Sequence, residues 1–158
     1  MLREQAEPSR ASYDTFFEDG EVRADFRKEY ISLWAGWLGE GRLHLLDEVN
    51  DEEWLRFNRW LLAVFHAFGM GVVNREAETI EFPARLEPLL SNHAEAKQKD
   101  ASQFSQFIIP ALDCVITEEW DYTYILWHRD TRALEALKPL LSDANLHHFS
   151  DLRSGFRA

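Results

Sequence analysis

The residues best suited to chemistry are an acid, a thiol and an imidazole in two neighbouring apolar segments. Asp113 and Cys114 lie in the first segment and His128 in the second. If the segments form a hairpin, Asp113 and His128 share one face as diagonal neighbours, an acid–imidazole pair suited to proton transfer. The same alternation points Cys114 into the core, away from His128, and a buried thiol without a base is inert. The alternative for Asp113 and His128 is an ordinary surface hydrogen bond.

Established catalytic and cofactor motifs are missing from the sequence. No glycine is followed by lysine, so the phosphate-loop motif is absent. No histidine is followed by glutamate, so the His-Glu-x-x-His zinc-binding motif is also absent. His147 and His148 are adjacent, so on a strand their rings point to opposite faces and cannot share a metal. We therefore predict neither a metal site nor a cofactor.

One acidic turn carries a tryptophan. Glu118, Glu119, Trp120 and Asp121 form the predicted loop of the hairpin, where burial of an indole in the protein's own core is hard to arrange. The three neighbouring carboxylates should also repel one another, so we expect this loop to contribute little to the stability of the fold. A large aromatic side chain inside a charged rim is typical of an interface hot spot. The alternative is that Trp120 folds back over Pro110 or the last helix.

Composition limits the class of protein and its partners. The chain has 158 residues, 46% of them hydrophobic, and 28 acidic against 17 basic side chains give a net charge of −11. This charge disfavours nucleic acid as a partner, because phosphate backbones are repelled. Cys114 is the only cysteine, so an intramolecular disulfide is excluded. The start resembles no secretory signal, and the longest apolar run, 60–73, is shorter than the roughly 20 residues of a membrane span. We expect a cytoplasmic protein without membrane contact.

Two helices are predicted ahead of any strand. The first covers about 21–38, where apolar side chains recur at three- and four-residue spacings: Val22, Phe26, Tyr30, Leu33, Trp34, Trp37 and Leu38. The second covers 51–68, with Asn50 and Glu53 placed as a capping box and Gly69 at its end.

Short strands then alternate with helices. We expect strands at 72–73 and 79–82, a helix after Pro83, and a hairpin of 104–117 with 122–129. Pairing Thr117 with Tyr122 puts one set of side chains on the core face of the hairpin: Leu112, Cys114, Ile116, Thr123, Ile125 and Trp127. Asp130 should cap a last helix, kinked or split by Pro139, before a short edge strand at 146–149.

This order predicts an α+β fold, with two N-terminal helices followed by hairpins of a mostly antiparallel sheet and two further helices. A single domain should cover 15–150, with a loosely ordered arm at 1–14 and a tail at 151–158.

Three classes of function stay open. The first is a protein-binding module with a basic partner, for example an immunity-type inhibitor of a cationic toxin nuclease, using the loop 118–121. The second is a ligand-sensing domain whose pocket is lined by Trp34, Trp37, Trp54 and Trp60, although tryptophans at helical spacing are usually core residues. The third is a small enzyme without a recognisable motif, using Asp113 and His128. Homo-oligomerisation is compatible with each.

Overall fold

The computed structural model describes residues 10–150 and shows an α+β fold built on a large antiparallel sheet. Its elements follow in chain order: α1 (Arg10–Phe16), β1 (Phe17–Glu18), β2 (Glu21–Val22), β3 (Arg27–Ser32), α2 (Asp51–Phe68), β4 (Gly71–Asn74), β5 (Thr79–Glu81), α3 (His93–Lys97), β6 (Gln106–Ile109), β7 (Cys114–Glu118), β8 (Thr123–His128), α4 (Thr131–Asp143) and β9 (His147–Ser150). Short 3-10 helices lie at Glu40–Glu48, Glu87–Leu89, Ala101–Gln103 and Pro110–Leu112.

The main sheet has seven strands in the order β5-β4-β6-β7-β8-β3-β9, and each neighbouring pair is antiparallel. β1 and β2 form a separate two-stranded ribbon. The early strand β3 therefore lies between two strands from the end of the chain, and β9 forms one edge of the sheet, as the sequence predicts for this segment.

The helix predicted at 51–68 is confirmed with its cap. The Asn50 side chain accepts a hydrogen bond from the Glu53 backbone N–H at 2.8 Å, and the Glu53 carboxylate accepts one from the Asn50 N–H at 3.0 Å. Gly69 ends the helix with a φ of 81°, a value that suits glycine. One face of α2 is buried through Trp54, Phe57, Trp60, Leu61 and Val64.

The first predicted helix, 21–38, is wrong. This segment holds β2, the interior strand β3 and an irregular stretch that follows it. Four consecutive residues of β3, Glu29 to Ser32, are buried because both faces of the sheet are covered there. A strand covered on both faces loses the alternation of apolar and polar residues, and its apolar positions then mimic helical spacing.

The hairpin register is also wrong, by three residues. Thr117 pairs with Ile125 rather than Tyr122, and Glu118 pairs with Tyr124. The turn closes with the Glu119 N–H donating to the Thr123 carbonyl at 2.9 Å, and two non-glycine residues in it, Asp121 and Tyr122, have positive φ. The faces of β8 are therefore the reverse of those predicted.

The segment 104–117, predicted as one strand of the hairpin, is two antiparallel strands, β6 and β7, joined by the 3-10 turn Pro110–Leu112. Most of the other predicted elements are confirmed. β4 and β5 match the strands predicted at 72–73 and 79–82, while the helix after Pro83 is reduced to a 3-10 turn and the five-residue α3. The Asp130 side chain accepts from the Arg132 N–H at the start of α4, and α4 continues through Pro139 without splitting. Helix α1 starts within the predicted arm, and residues 1–9 and the predicted tail at 151–158 lie outside the described residues.

The sheet packs on both faces. The main core lies between one face and α2 and α4, and it contains Ile31, Cys114, Ile116, Tyr124 and Leu126. The second face splits into two regions. In the first region, side chains from α1, β1 and the loop before β3 pack against Ile80, Ile108 and Val115. In the second region, Tyr30, Ile125 and Phe149 form a separate small cluster. This second region opens into a groove.

Candidate functional site

A cavity of about 300 Å³, here called the sheet groove, opens on the second face of the sheet. Its floor comes from β3, β8 and β9. Ser32 pairs with Thr123, and Tyr30 pairs with Ile125 on one side and Phe149 on the other. The floor therefore combines aromatic rings with two small hydroxyl side chains.

One wall of the sheet groove comes from the segment between β3 and α2. It contributes Trp34, Trp37, Leu38, Leu43 and Leu46. Trp37 packs edge-on against Tyr30 and Phe149, with ring centroids 4.6 and 4.9 Å apart. Although Trp37 makes these contacts, 46% of it stays exposed, and 48% of Leu43 is exposed beside it.

The opposite wall is the β7–β8 turn that the sequence singled out. Trp120 is the most exposed large hydrophobic residue between 13 and 150, at 58%. Its ring meets Phe104 edge-on at 4.8 Å, so it folds back over neither Pro110 nor α4. Trp120 also borders a second cavity of about 220 Å³ and so separates the two spaces.

The carboxylates of this turn do not form the cluster of like charges that the sequence suggests. Glu118 is buried, and its Oε1 accepts hydrogen bonds from Lys99 Nζ at 2.8 Å and from the Ser105 N–H at 2.9 Å. Only Glu119 and Asp121 line the sheet groove. Glu118 therefore belongs to the structure of the loop, and the binding hypothesis retains Glu119, Trp120 and Asp121.

Glu119 is held in place by a short chain of hydrogen bonds on the second face of the sheet. Trp127 Nε1 donates to Thr117 Oγ1 at 2.9 Å, and Thr117 Oγ1 donates to Glu119 Oε2 at 2.8 Å. Burial raises the pKa of Glu119, which means that its ionised form is under-solvated where it stands. A cation that approaches such a carboxylate would stabilise its ionised form.

The negative field extends past the turn. The pKa of the Tyr122 phenol is raised by burial first and then by the charges of Asp47 and Asp121. Asp47 belongs to the 3-10 helix that also supplies Leu43 and Leu46 to the groove. Carboxylates from both walls thus act on the same tyrosine, although Asp47 itself does not line the groove.

The proposed acid–imidazole pair is not formed. Asp113 lies in a left-handed turn before β7, and its carboxylate accepts from Arg129 Nη1 at 3.0 Å. His128 instead lies directly opposite Cys114, contrary to the predicted register. Burial raises the pKa of Cys114 to about 12 and lowers the pKa of His128. The thiol therefore stays protonated beside a neutral imidazole, which is the opposite of an activated nucleophile.

Two other histidines make close contacts. His148 Nδ1 lies 2.5 Å from the buried Glu29 carboxylate, and His93 bridges Asp51 and the Tyr122 hydroxyl at 2.9 and 3.0 Å.

Within residues 10–150, no three histidine, cysteine, aspartate or glutamate side chains are grouped to hold a metal ion. No helix in the described part of the chain is long and apolar enough to cross a membrane.

Sequence reasoning missed the groove because it assigned its aromatic residues to a helix. Trp54 and Trp60 are buried in the main core, whereas Trp37 lines the groove, and Trp34 both lines the groove and packs against the main core. One signal was available, since Gly36, Gly39 and Gly41 follow one another closely around Trp37 and are unfavourable in a helix.

Comparison of the chain with protein-family models, curated proteins and solved structures gives no match.

Proposed function

We propose that this protein is a protein-binding module that docks a basic segment of a partner protein in the sheet groove. The observation that carries the proposal is the grouping of Trp37, Leu43 and Trp120, three large and exposed apolar side chains around one groove. Single exposed apolar residues are ordinary, but a contiguous group with a polar rim is typical of an interaction site.

The chemistry of this surface fits the centre of a protein interface. Tryptophan is enriched among the residues that dominate binding energies, and such residues are surrounded by a rim that excludes water. Here two tryptophans stand on opposite walls, and Glu119 and Asp121 form part of the rim. A side chain of the partner would enter between the walls.

The sign of the charge indicates the class of partner. A net charge of −11 attracts cationic proteins over distances set by ionic strength, and the acidic rim orients them on arrival. One concrete form of this function is an inhibitor of the immunity type, which would cover the cationic surface of a toxin nuclease.

The test is capture of partners by the immobilised wild-type chain and by two single variants. Trp120→Ala removes a wall of the groove, whereas Leu55→Ala removes a side chain that is exposed on α2 outside the groove. A basic protein retained by the wild type and by Leu55→Ala, but lost with Trp120→Ala, supports the proposal, and its affinity is then measured with purified components. Equal retention by all three proteins argues against the groove.

A second candidate is a domain that senses a small apolar molecule. The supporting observation is the cavity itself, because about 300 Å³ lined by Tyr30, Trp34 and Trp37 is at the lower limit for small-molecule sites. A neutral ligand of that kind would quench tryptophan fluorescence and raise the melting temperature without any protein partner. Its binding would also be insensitive to salt, unlike that of a basic partner.

A further inference from the structure

We propose that the residue of the partner that enters the sheet groove is an arginine, with its guanidinium group between the aromatic walls and the carboxylates of Glu119 and Asp121. This inference rests on the function proposed above and names the chemistry that the groove selects.

The lining of the groove favours a cation with an apolar stem. Five aromatic side chains line it: Tyr30, Trp34, Trp37, Trp120 and Phe149. Its charged residues within 10–150 are Glu119 and Asp121, and the described lining contains no lysine, arginine or histidine. Aromatic faces attract cations through their quadrupole, and carboxylates attract them directly. An anion would meet only repulsion there.

The chain's own cations near Glu119 do not occupy the groove. Lys28 and Arg75 favour the ionised form of Glu119, while neighbouring Glu118 opposes it. Neither Lys28 nor Arg75 lines the groove, and the Lys28 ammonium group lies over the Trp127 ring, 5.1 Å from its centroid. A cation from outside can therefore reach Glu119 and Asp121 without displacing one of the chain's own.

Arginine fits this lining better than lysine. Its planar guanidinium group stacks on aromatic rings and donates several hydrogen bonds in one plane, whereas the lysine ammonium group is a compact, strongly hydrated charge. The floor offers Ser32 and Thr123 beside the two carboxylates. One flat group can thus stack on a wall and still donate to acceptors at its edge.

The chain holds one of its own arginines in the same way. The Arg129 guanidinium carbon lies over the Phe26 ring, 4.0 Å from its centroid. Its Nε donates to Asp25 at 2.7 Å and its Nη1 to Asp113 at 3.0 Å. One aromatic ring and two carboxylates are therefore sufficient to hold a guanidinium group on this fold.

The experiment is an NMR titration of the full-length, ¹⁵N-labelled protein, followed through the indole N–H signals of Trp37 and Trp120. The probes are N-acetyl-arginine amide and N-acetyl-citrulline amide, which share a shape but differ in charge. We expect saturable shifts with the arginine probe and affinity at least about tenfold weaker with citrulline, since cation–π attraction and charged hydrogen bonds are lost together. Choline serves as a third probe, and tighter binding of choline than of the arginine probe would overturn the assignment to arginine.

Two variants make the result specific. The double change Glu119→Gln and Asp121→Asn should weaken the arginine probe by about tenfold, whereas Glu81→Gln, an exposed residue of β5 outside the groove, should leave it unchanged. Affinity for the arginine probe should also fall on acidification, because protonation removes the charge of Glu119. Since the pKa of Glu119 is raised, this loss should occur at a higher pH than it would for an exposed glutamate.

Equal binding of citrulline, or unsaturable shifts spread over the acidic surface, would refute the arginine site. Capture of a partner that depends on Trp120 could still succeed in that case, so failure of this inference is distinguishable from failure of the proposed function.

Discussion

Lys99 and Glu118 form a buried ion pair next to the exposed tryptophan of the β7–β8 turn. Nζ and Oε1 are 2.8 Å apart, and the side chains are 14% and 4% exposed. Both residues line the 220 Å³ cavity that Trp120 also borders. The turn therefore has a buried side fixed by charge and an exposed side left for contact, and the two sides should respond differently to mutation.

The first prediction concerns this ion pair. Lys99→Met removes the partner of a buried carboxylate, and we expect it to lower the free energy of unfolding by roughly 2–4 kcal/mol. Urea denaturation measures the change, and Lys97→Met, at an exposed position of α3, is the control for loss of one positive charge. Adding Glu118→Gln to Lys99→Met should recover part of the loss, because the unpaired charge disappears. A loss below about 0.5 kcal/mol would place the pair among ordinary surface ion pairs.

The second prediction concerns Trp120. Trp120→Ala removes one edge-on ring contact, with Phe104, from a side chain that is mostly exposed, so the melting temperature should fall by no more than about 3 °C. Dissociation of the partner should become faster, since loss of a buried anchor acts mainly on that rate. A larger drop in melting temperature would show that the indole is a core residue.

The rim carboxylates give a third, separate prediction. Neutralising Glu119 and Asp121 should slow association with the basic partner and flatten its dependence on salt, because steering acts before contact. Stopped-flow mixing at several salt concentrations measures both effects. Neutralising Glu118 should instead mainly destabilise the fold, so the three acids of one turn should divide into two groups. An unchanged salt dependence in the Glu119 and Asp121 variant would contradict the steering role.

The fourth prediction uses the free thiol as a probe of folding. Burial and the neighbouring Asp113 charge raise the pKa of Cys114 from 9.0 to about 12, so at pH 8 its thiolate fraction is about a thousandfold lower than in the unfolded chain. We expect a thiol reagent such as Ellman's reagent to react only as fast as the chain opens. Protein unfolded in urea provides the fast reference, and stoichiometric labelling of the native protein within seconds would contradict this assignment.

The fifth prediction concerns Gly71 on β4. A Cβ atom at this position would lie 2.5 Å from Ile80 Cγ2 and 2.9 Å from Phe82 Cε1. Gly71→Ala should therefore cost roughly 1–3 kcal/mol through overpacking between neighbouring strands. Gly36→Ala is the matched control, since nothing lies within 4 Å of its Cβ position. Equal stability of the two variants would show that the strands can separate without cost.

Local signals decided which parts of the fold could be predicted. Helix α2 was predictable because its cap, its apolar face and its terminal glycine all lie within one stretch of sequence. Strand β3 gave no such signal, because its neighbours β8 and β9 are remote in sequence. No local pattern encodes a pairing between Tyr30 and Phe149.

The candidate site was predictable only in part for the same reason. The turn around Trp120 is local, and its exposure agrees with a position at the tip of a hairpin. The opposite wall is not local, since Trp37 reaches the groove only after β3 has paired with β8 and β9. The burial of Glu118 depends on Lys99, which precedes it by 19 residues in an irregular segment.

The position of β3 has a consequence for synthesis of the chain on the ribosome. Residues 27–32 emerge early, but their partners in β8 and β9 emerge only at 123–128 and 147–150. An isolated strand must wait for distant partners, and closing such long loops slows folding. Since Tyr30, Ile125 and Phe149 form the floor of the groove, the nascent chain has no groove until translation has passed residue 150.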